Sequence, residues 1–215
     1  MELTSEHWNR IYAEKPSDQV SWHATHLTHS LALIAEANLP RNAAILDVGG
    51  GASTLAGDLL DLGYTNVTVL DIAESGLAVA RQRLAARATL VHWLVGDITT
   101  IALPEAAFDL WHDRAVFHFL TEPRDRAAYL AQARRALKPD GRIIVATFGE
   151  HGPERCSGLP VVRYDDEALL AAFGQDFERV HCLEDTHVTP WGSQQEFVYC
   201  LCRRAPSQSH ERAGA

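Results

Sequence analysis

The sequence lacks the features that would assign the chain to membrane, secreted or metal-binding proteins. No apolar run approaches the roughly eighteen residues that span a bilayer, so we expect no membrane segment. Residues 1–6 are polar and partly acidic, unlike a secretion signal. The 11 histidines include no His-x-x-x-His pair and no Cys-x-x-Cys occurs, so we expect no metal site.

Cysteines and basic residues are also few. The four cysteines show no framework of paired spacings, and Cys200 and Cys202 would share one face of a strand, which favours buried thiols over a disulfide. We therefore predict a reducing, cytoplasmic setting. With 19 Lys and Arg against 28 Asp and Glu, the formal net charge is -9, which argues against a nucleic-acid partner.

The remaining composition is that of one globular unit. At 215 residues, 47% of them hydrophobic, the chain can bury the core of a single α/β domain. We divide it into a helical N-terminal cap over residues 1–40, a sheet domain over 41–203 and a polar tail over 204–215. The tail is small, polar and charged, so we predict that it is disordered.

The most informative segment is an apolar run that ends in Asp47-Val48-Gly49-Gly50-Gly51, followed about twenty residues later by a second run that ends at Asp71. Each run is short enough for a buried strand. Glycines at a strand-to-helix turn let a ligand approach the backbone closely, because no Cβ stands in the way. An acidic residue at the tip of the next strand can accept both hydroxyls of a ribose. The pair predicts a nucleoside-binding site.

The residues around the glycines indicate which nucleoside. The register from Gly49 lacks the third glycine of the Gly-x-Gly-x-x-Gly pattern, which places a pyrophosphate on a helix N-terminus. Asp47 would repel a pyrophosphate but suit the ammonium group of an amino-acid tail. S-adenosylmethionine has that tail, a ribose and no phosphate, so we predict it as the cofactor. A nicotinamide-dependent dehydrogenase is a distant alternative.

This segment resembles the first motif, (Asp/Glu)-x-Gly-x-Gly, of the class I, seven-β-strand, S-adenosylmethionine-dependent methyltransferases. The resemblance implies that Asp47, Gly49 and Gly51 contact the cofactor. Its fold would be α/β: a Rossmann-like three-layer sandwich with a seven-stranded, mostly parallel sheet, a C-terminal antiparallel hairpin and a helical N-terminal cap. We place its strands near residues 44–48, 67–71, 90–95, 108–112, 142–148, 178–187 and 195–203.

A third predicted strand end completes the cofactor site. It reads Gly-Asp-Ile, and the resemblance implies that Asp97 holds the adenine amine while Ile98 packs on the ring. Ile72, beside Asp71, is counted with them. Taken singly, Asp47, Asp71 and Asp97 are equally well read as capping or turn residues. Their position at successive strand ends favours ligand binding, since open parallel sheets bind ligands at this edge.

The predicted N-terminal cap contributes Trp8, Tyr12 and Trp22. Aromatic faces can enclose a cationic sulfonium and exclude water. The spacing of these residues is similar to the opening of several small members of the family, where this segment folds over the cofactor. The alternative is that the three aromatics only anchor the cap to the sheet.

The best candidates for chemistry follow the fourth predicted strand. Asp113 or His118 is a candidate base for an amine or hydroxyl acceptor, whereas a thiol or soft anion requires no base. Asp113 is alternatively a helix cap. The segment also resembles a lysine-methylating branch of the family, but Ala115 and Val116 stand where that branch has Gly-Thr.

The longest loop rich in glycine and proline, residues 148–160, follows the fifth predicted strand and is predicted to cover the active site as a lid. In it, His151, Arg155 and Cys156 are candidate acceptor contacts. We predict a monomeric or homodimeric methyltransferase that acts on a small molecule. The alternatives are a protein-lysine methyltransferase and a cofactor-binding module without turnover.

Overall fold

The structure, a computed structural model that describes residues 4–206, is built around one large sheet. Its strands are β1 (Ala44–Val48), β2 (Asn66–Asp71), β3 (Val91–Val95), β4 (Phe108–Arg114), β5 (Leu137–Phe148), β6 (Arg155–Cys156), β7 (Leu159–Pro160), β8 (Phe177–Val188) and β9 (Gln194–Arg204). The large sheet has the order β3-β2-β1-β4-β5-β9-β8, and β6 pairs with β7 in a separate hairpin. Strands β1 to β5 are parallel, whereas β9 runs antiparallel to both β5 and β8. The predicted sheet and its C-terminal hairpin are confirmed.

Helices cover both faces of this sheet. They are α1 (Ser5–Glu14), α2 (Thr28–Glu36), α3 (Leu55–Asp61), α4 (Glu74–Leu84), α5 (Pro123–Ala136) and α6 (Asp166–Phe173). Because successive strand residues point to opposite faces, Ile45 packs in one buried cluster with residues of α2, α3 and α4. Its neighbour Leu46 packs in a second cluster with residues of α5 and α6. The result is the predicted three-layer sandwich, with α1 and α2 inside the predicted cap.

Strand β5 begins earlier than the predicted strand near residues 142–148. It already starts at Leu137, and its pairing with β4 shifts between Phe108 and Leu110. Between these points Asp140 takes the left-handed conformation, with φ of 60°. The bend therefore depends on an aspartate, a residue type that tolerates this conformation better than most.

The cysteine prediction was wrong for one pair. Cys182 and Cys200 are disulfide-bonded and lie directly opposite each other on β8 and β9. Cys156 and Cys202 are free and buried. The register of the hairpin creates this pair, and spacing along the chain does not reveal register. Unpaired cysteines therefore no longer support the predicted cytoplasmic setting, which stays a prediction.

The remaining predictions concern the C-terminal tail, membrane-spanning helices and metal ligands. Most of the tail predicted over 204–215 lies outside the described residues, although Arg204 belongs to β9. Within residues 4–206, no helix is both long enough and apolar enough to span a bilayer. Across the same range, no three His, Cys, Asp or Glu side chains gather as metal ligands would.

Candidate active site

A cavity of about 620 Å³ opens at the carboxyl ends of the parallel strands. Val48, Asp71, Arg114 and Phe148 line it, and these residues come from the ends of β1, β2, β4 and β5. This is the edge at which open α/β sheets bind ligands. Of the strand-end aspartates singled out in the sequence, Asp71 and Asp97 line this cavity.

The glycine loop after β1 forms one wall of the cavity. Gly49 and Gly51 have φ of 68° and 36°, a region that favours glycine. A Cβ on Gly51 would collide with the Tyr12 hydroxyl and lie 2.9 Å from Asp71 Oδ2. The absence of a side chain thus lets Tyr12 and Asp71 approach the backbone of the loop.

Asp71 ends β2 with one carboxylate oxygen fixed and the other directed at the glycine loop. Its Oδ1 accepts a hydrogen bond of 2.7 Å from the Ala73 backbone amide. Burial, opposed by the Ala73 bond and supported by the nearby charge of Asp47, raises the pKa of Asp71 to about 7. The group therefore titrates near neutral pH.

Asp47 heads a buried polar chain. It lies opposite His112 in the β1–β4 register, and its Oδ1 is 2.8 Å from His112 Nδ1. His112 Nε2 is in turn 2.8 Å from the Ser30 hydroxyl. Asp47 Oδ2 is buried without a hydrogen-bond partner among residues 4–206. Asp47 lines a smaller adjoining cavity of about 40 Å³, which shares Gly49 with the main one.

The other predicted cofactor contacts line the main cavity. Asp97 Oδ1 accepts hydrogen bonds from the Thr99 amide at 2.8 Å and the Thr99 hydroxyl at 2.7 Å. These bonds hold the carboxylate in one orientation. Ile72 and Ile98 lie in the same wall, so apolar surface borders both Asp71 and Asp97.

The three aromatics of the N-terminal cap also line the main cavity. Trp8 packs edge-on against Trp22 and Phe119, with ring centroids 5.9 and 5.1 Å apart, and Tyr12 lies 6.2 Å from Trp22. Burial raises the pKa of the Tyr12 hydroxyl, and the charge of Asp71 raises it further. Tyr12 therefore remains a protonated donor beside the glycine loop.

Asp113 lies in the core, away from the cavity wall. Its side chain accepts hydrogen bonds from the backbone amides of Val116 and Phe117, at 2.8 and 3.0 Å, and from the Tyr129 hydroxyl at 2.7 Å. Burial raises its pKa to about 6. The carboxylate caps the turn that follows β4, so its geometry favours the structural alternative over the role of a base.

His118 is equally enclosed. It is fully buried, and its Nδ1 accepts a hydrogen bond of 3.1 Å from the Phe148 amide. Burial, together with the nearby charge of Arg114, lowers its pKa to about 3. The ring is thus neutral and does not line the cavity, so the general-base role predicted for His118 gains no support from the geometry.

Residues 148–160 cover the far end of the cavity and contain the hairpin β6–β7. Cys156 and Leu159 line the wall there, whereas His151 and Arg155 are exposed. Burial raises the pKa of the Cys156 thiol to about 11, so it stays protonated. Whether this segment opens and closes as a lid stays a prediction.

Sequence reasoning missed much of this far end. Arg114, Gln195 and Phe197 line the cavity, together with Phe119 and Phe148. Gln195 and Phe197 are two residues apart on β9, so their side chains lie on the same face of the sheet. The sequence carries no signal that this face reaches the cavity, because that depends on the position of β9 beside β5.

Known proteins match this chain in sequence. A family model described as a methyltransferase domain matches residues 45–141. The ubiquinone/menaquinone biosynthesis C-methyltransferase of Methylobacterium nodulans is 37% identical over 107 residues, which cover 48% of this chain and 41% of that protein. The chain thus matches less than half the length of this relative.

Solved structures match more of the chain. A structure concerning the conversion of a disulfide bond into a thioacetal group during echinomycin biosynthesis has a TM-score of 0.76 at 21% identity, covering 95% of this chain and 94% of its own. The 1,6-didemethyltoxoflavin-N1-methyltransferase of Burkholderia thailandensis, with bound S-adenosylhomocysteine, has a TM-score of 0.65 at 24% identity. It covers 94% of this chain and 84% of its own. These likenesses show the shared fold.

Proposed function

We propose that this chain is a class I S-adenosylmethionine-dependent methyltransferase that transfers a methyl group to a nitrogen, oxygen or sulfur atom of a small molecule; the match of residues 45–141 to a methyltransferase domain supports this. The observation that carries the proposal is the shape of the cavity. One part of its wall has Gly49, Asp71 and Asp97, and another part is aromatic and includes Cys156 and Leu159 of the hairpin β6–β7. S-adenosylmethionine is the cofactor of the family, and the first part suits it.

The cofactor roles follow from the contacts left free. Asp71 has an oxygen at the glycine loop for the ribose hydroxyls, and Asp97 keeps its second oxygen for the adenine amine. Ile72 and Ile98 offer apolar surface to the ring. The unpartnered Oδ2 of Asp47 suits the ammonium group of the amino-acid tail, since a buried carboxylate oxygen is stabilised by a charged donor.

The N-terminal cap closes the cavity over the reacting groups. Trp8, Tyr12 and Trp22 present ring faces and edges to its interior. Such faces attract a cationic centre and exclude water. Their mutual contacts on α1 and the following loop hold them in place, so the cap both anchors the N-terminus and shields the cavity.

The bound cofactor supplies a methyl group already activated on a sulfonium. The chain's own task is to hold the acceptor in line with it, and positioning of this kind contributes about 7–11 kcal/mol. Asp113 and His118 are enclosed in the core and do not reach the cavity. A nucleophile that is already ionised, or that needs no deprotonation, therefore fits the site best.

Protein-lysine methylation is the alternative substrate class. A lysine on a protein surface needs a channel open to a macromolecule, whereas α1 and the hairpin β6–β7 both supply residues to the cavity wall here. The Methylobacterium nodulans relative carries the name of an enzyme of quinone biosynthesis, which also supports a small molecule. A binding module without turnover is the remaining alternative.

The test is transfer of label from methyl-tritiated S-adenosylmethionine in two parallel reactions, one with a protein-free metabolite extract and one with dialysed protein. We expect label in the small-molecule fraction, and loss of that label in Asp71→Ala. Label in protein alone would favour lysine methylation. Binding of S-adenosylhomocysteine without any transfer would favour a module that has lost turnover.

A further inference from the structure

We infer that Arg114 and Gln195 form a subsite that binds a carboxylate or similar oxyanion of the acceptor. The inference rests on the proposed function and narrows its substrate to anionic small molecules. Both side chains line the main cavity, and nothing in the cofactor motif accounts for either of them.

The guanidinium of Arg114 is held rigidly at the cavity wall. Its Nε donates to the Tyr199 hydroxyl and its Nη1 to the Trp22 carbonyl, both at 3.0 Å. Its Cζ lies 4.7 Å from the centroid of the Phe197 ring. A guanidinium has five N–H donors in a planar fork that matches a carboxylate, so donors remain after these two hydrogen bonds.

The charge of Arg114 has no counter-ion in the described part of the chain. Among residues 4–206, no carboxylate forms an ion pair with it, although the side chain is half-buried. The charge also affects two nearby histidines. Burial lowers the pKa values of His118 and His187, and the positive charge of Arg114 contributes to the lowering of both. A buried charge is costly unless it is paired, so an anion in the cavity would stabilise this arrangement.

Gln195 provides a second, independent polar contact. Its side chain is only 8% exposed, and its Oε1 has no hydrogen-bond partner among the described residues. Buried amides almost always find partners in native proteins. Oε1 is an acceptor, so a hydroxyl or N–H of the ligand would satisfy it, and the Nε2 of the same amide can donate to an oxyanion beside Arg114.

Arg114 also lines the small cavity that contains Asp47, whereas Gln195 lines only the main one, so it is the position of Gln195 that assigns the subsite to the acceptor. Asp71 ends β2, whereas Gln195 and the partners of Arg114 at Phe197 and Tyr199 lie on β9, at the other side of β1, β4 and β5. The aromatic rings of this end favour a flat, apolar body attached to the anion. We therefore expect an acceptor such as an aromatic or conjugated carboxylate.

The test compares a charged probe with its uncharged isostere. Protein saturated with S-adenosylhomocysteine is titrated with 2-naphthoate and with 2-naphthamide, and binding is followed by calorimetry. We expect naphthoate to bind wild type about tenfold or more tightly than naphthamide. Arg114→Gln should remove that preference, and Gln195→Leu should weaken the binding of both probes, because the amide can hydrogen-bond to either of them. The control is Arg134→Gln, which removes a cation from the exposed face of α5.

The outcomes separate the possible sources of the anion. Equal binding of the two probes to wild type, or an unchanged preference in Arg114→Gln, would overturn the subsite. If Arg114→Gln weakens S-adenosylhomocysteine but not 5′-methylthioadenosine, the guanidinium holds the carboxylate of the cofactor, which overturns assignment to the acceptor. Failure of wild type to bind S-adenosylhomocysteine would contradict the proposed function itself.

If Arg114→Gln does not fold, an NMR measurement on the wild-type protein tests the subsite instead. The Nε–H resonance of Arg114 is assigned by its loss in Arg114→Lys, which keeps the charge. We expect naphthoate to shift this resonance and naphthamide to leave it in place. If neither probe changes the chemical shift of this resonance, the subsite is contradicted.

Discussion

Replacing Asp71 by asparagine tests the electrostatics of the cofactor site. The pKa of Asp71 is raised to about 7 by burial, so half of the unliganded protein has a neutral carboxyl group at that pH. A ribose diol binds best to the carboxylate. If only the ionised form binds, the affinity for S-adenosylhomocysteine should fall about tenfold between pH 8 and pH 6. At pH 8, Asp71→Asn should weaken binding by about 1.5–3 kcal/mol, or roughly ten- to a hundredfold.

The assay is calorimetric titration with S-adenosylhomocysteine at four pH values from 6 to 8, on wild type and Asp71→Asn. The variant cannot titrate at this position, so its affinity should change little over the range. The same pH slope in both proteins would refute the reasoning, because another group would then be responsible. A second consequence concerns stability. Since the folded-state pKa lies above the ordinary 3.8, the free energy of unfolding of the unliganded protein should fall as the pH rises through about 7.

Three other changes test the structural assignments. Asp113→Asn and Tyr129→Phe should each lower the free energy of unfolding in urea by about 1–3 kcal/mol and leave S-adenosylhomocysteine affinity unchanged; loss of affinity would instead place Asp113 in the site. Gly51→Ala should weaken that affinity about tenfold or more, measured by calorimetry, because its Cβ would displace the Tyr12 hydroxyl. Reducing the Cys182–Cys200 disulfide should lower the melting temperature. The corresponding loss in the free energy of unfolding should be at most about 3 kcal/mol for a loop of this length. A Cys200→Ser control should not respond to reductant.

The cofactor end was predictable because its information is local. The glycines after Val48, and the aspartates at 71 and 97, each follow a short apolar run that ends at the same sheet edge. Parallel strands bring their carboxyl ends together, so residues far apart in the chain meet without any knowledge of side-chain packing. These short apolar runs were enough to find the strand ends.

The acceptor end was not predictable, because it depends on contacts between distant elements. The role of Asp113 is set by Tyr129, which reaches it from α5, sixteen residues later. The next residue, Arg114, donates a hydrogen bond to the hydroxyl of Tyr199 on β9, the last strand in the sequence. The pairing of Cys182 with Cys200 needs the hairpin register. Local patterns do not carry this information, because the choice of partner is made by the packing of the whole sheet.

The most direct test of the central claim is calorimetric titration of the purified protein with S-adenosylmethionine, S-adenosylhomocysteine and NAD in parallel. The arrangement of Asp47, Asp71 and Asp97 around a loop without the third glycine predicts micromolar binding of both adenosyl ligands and no binding of NAD. Binding of NAD alone, or of none of the three, would contradict the account.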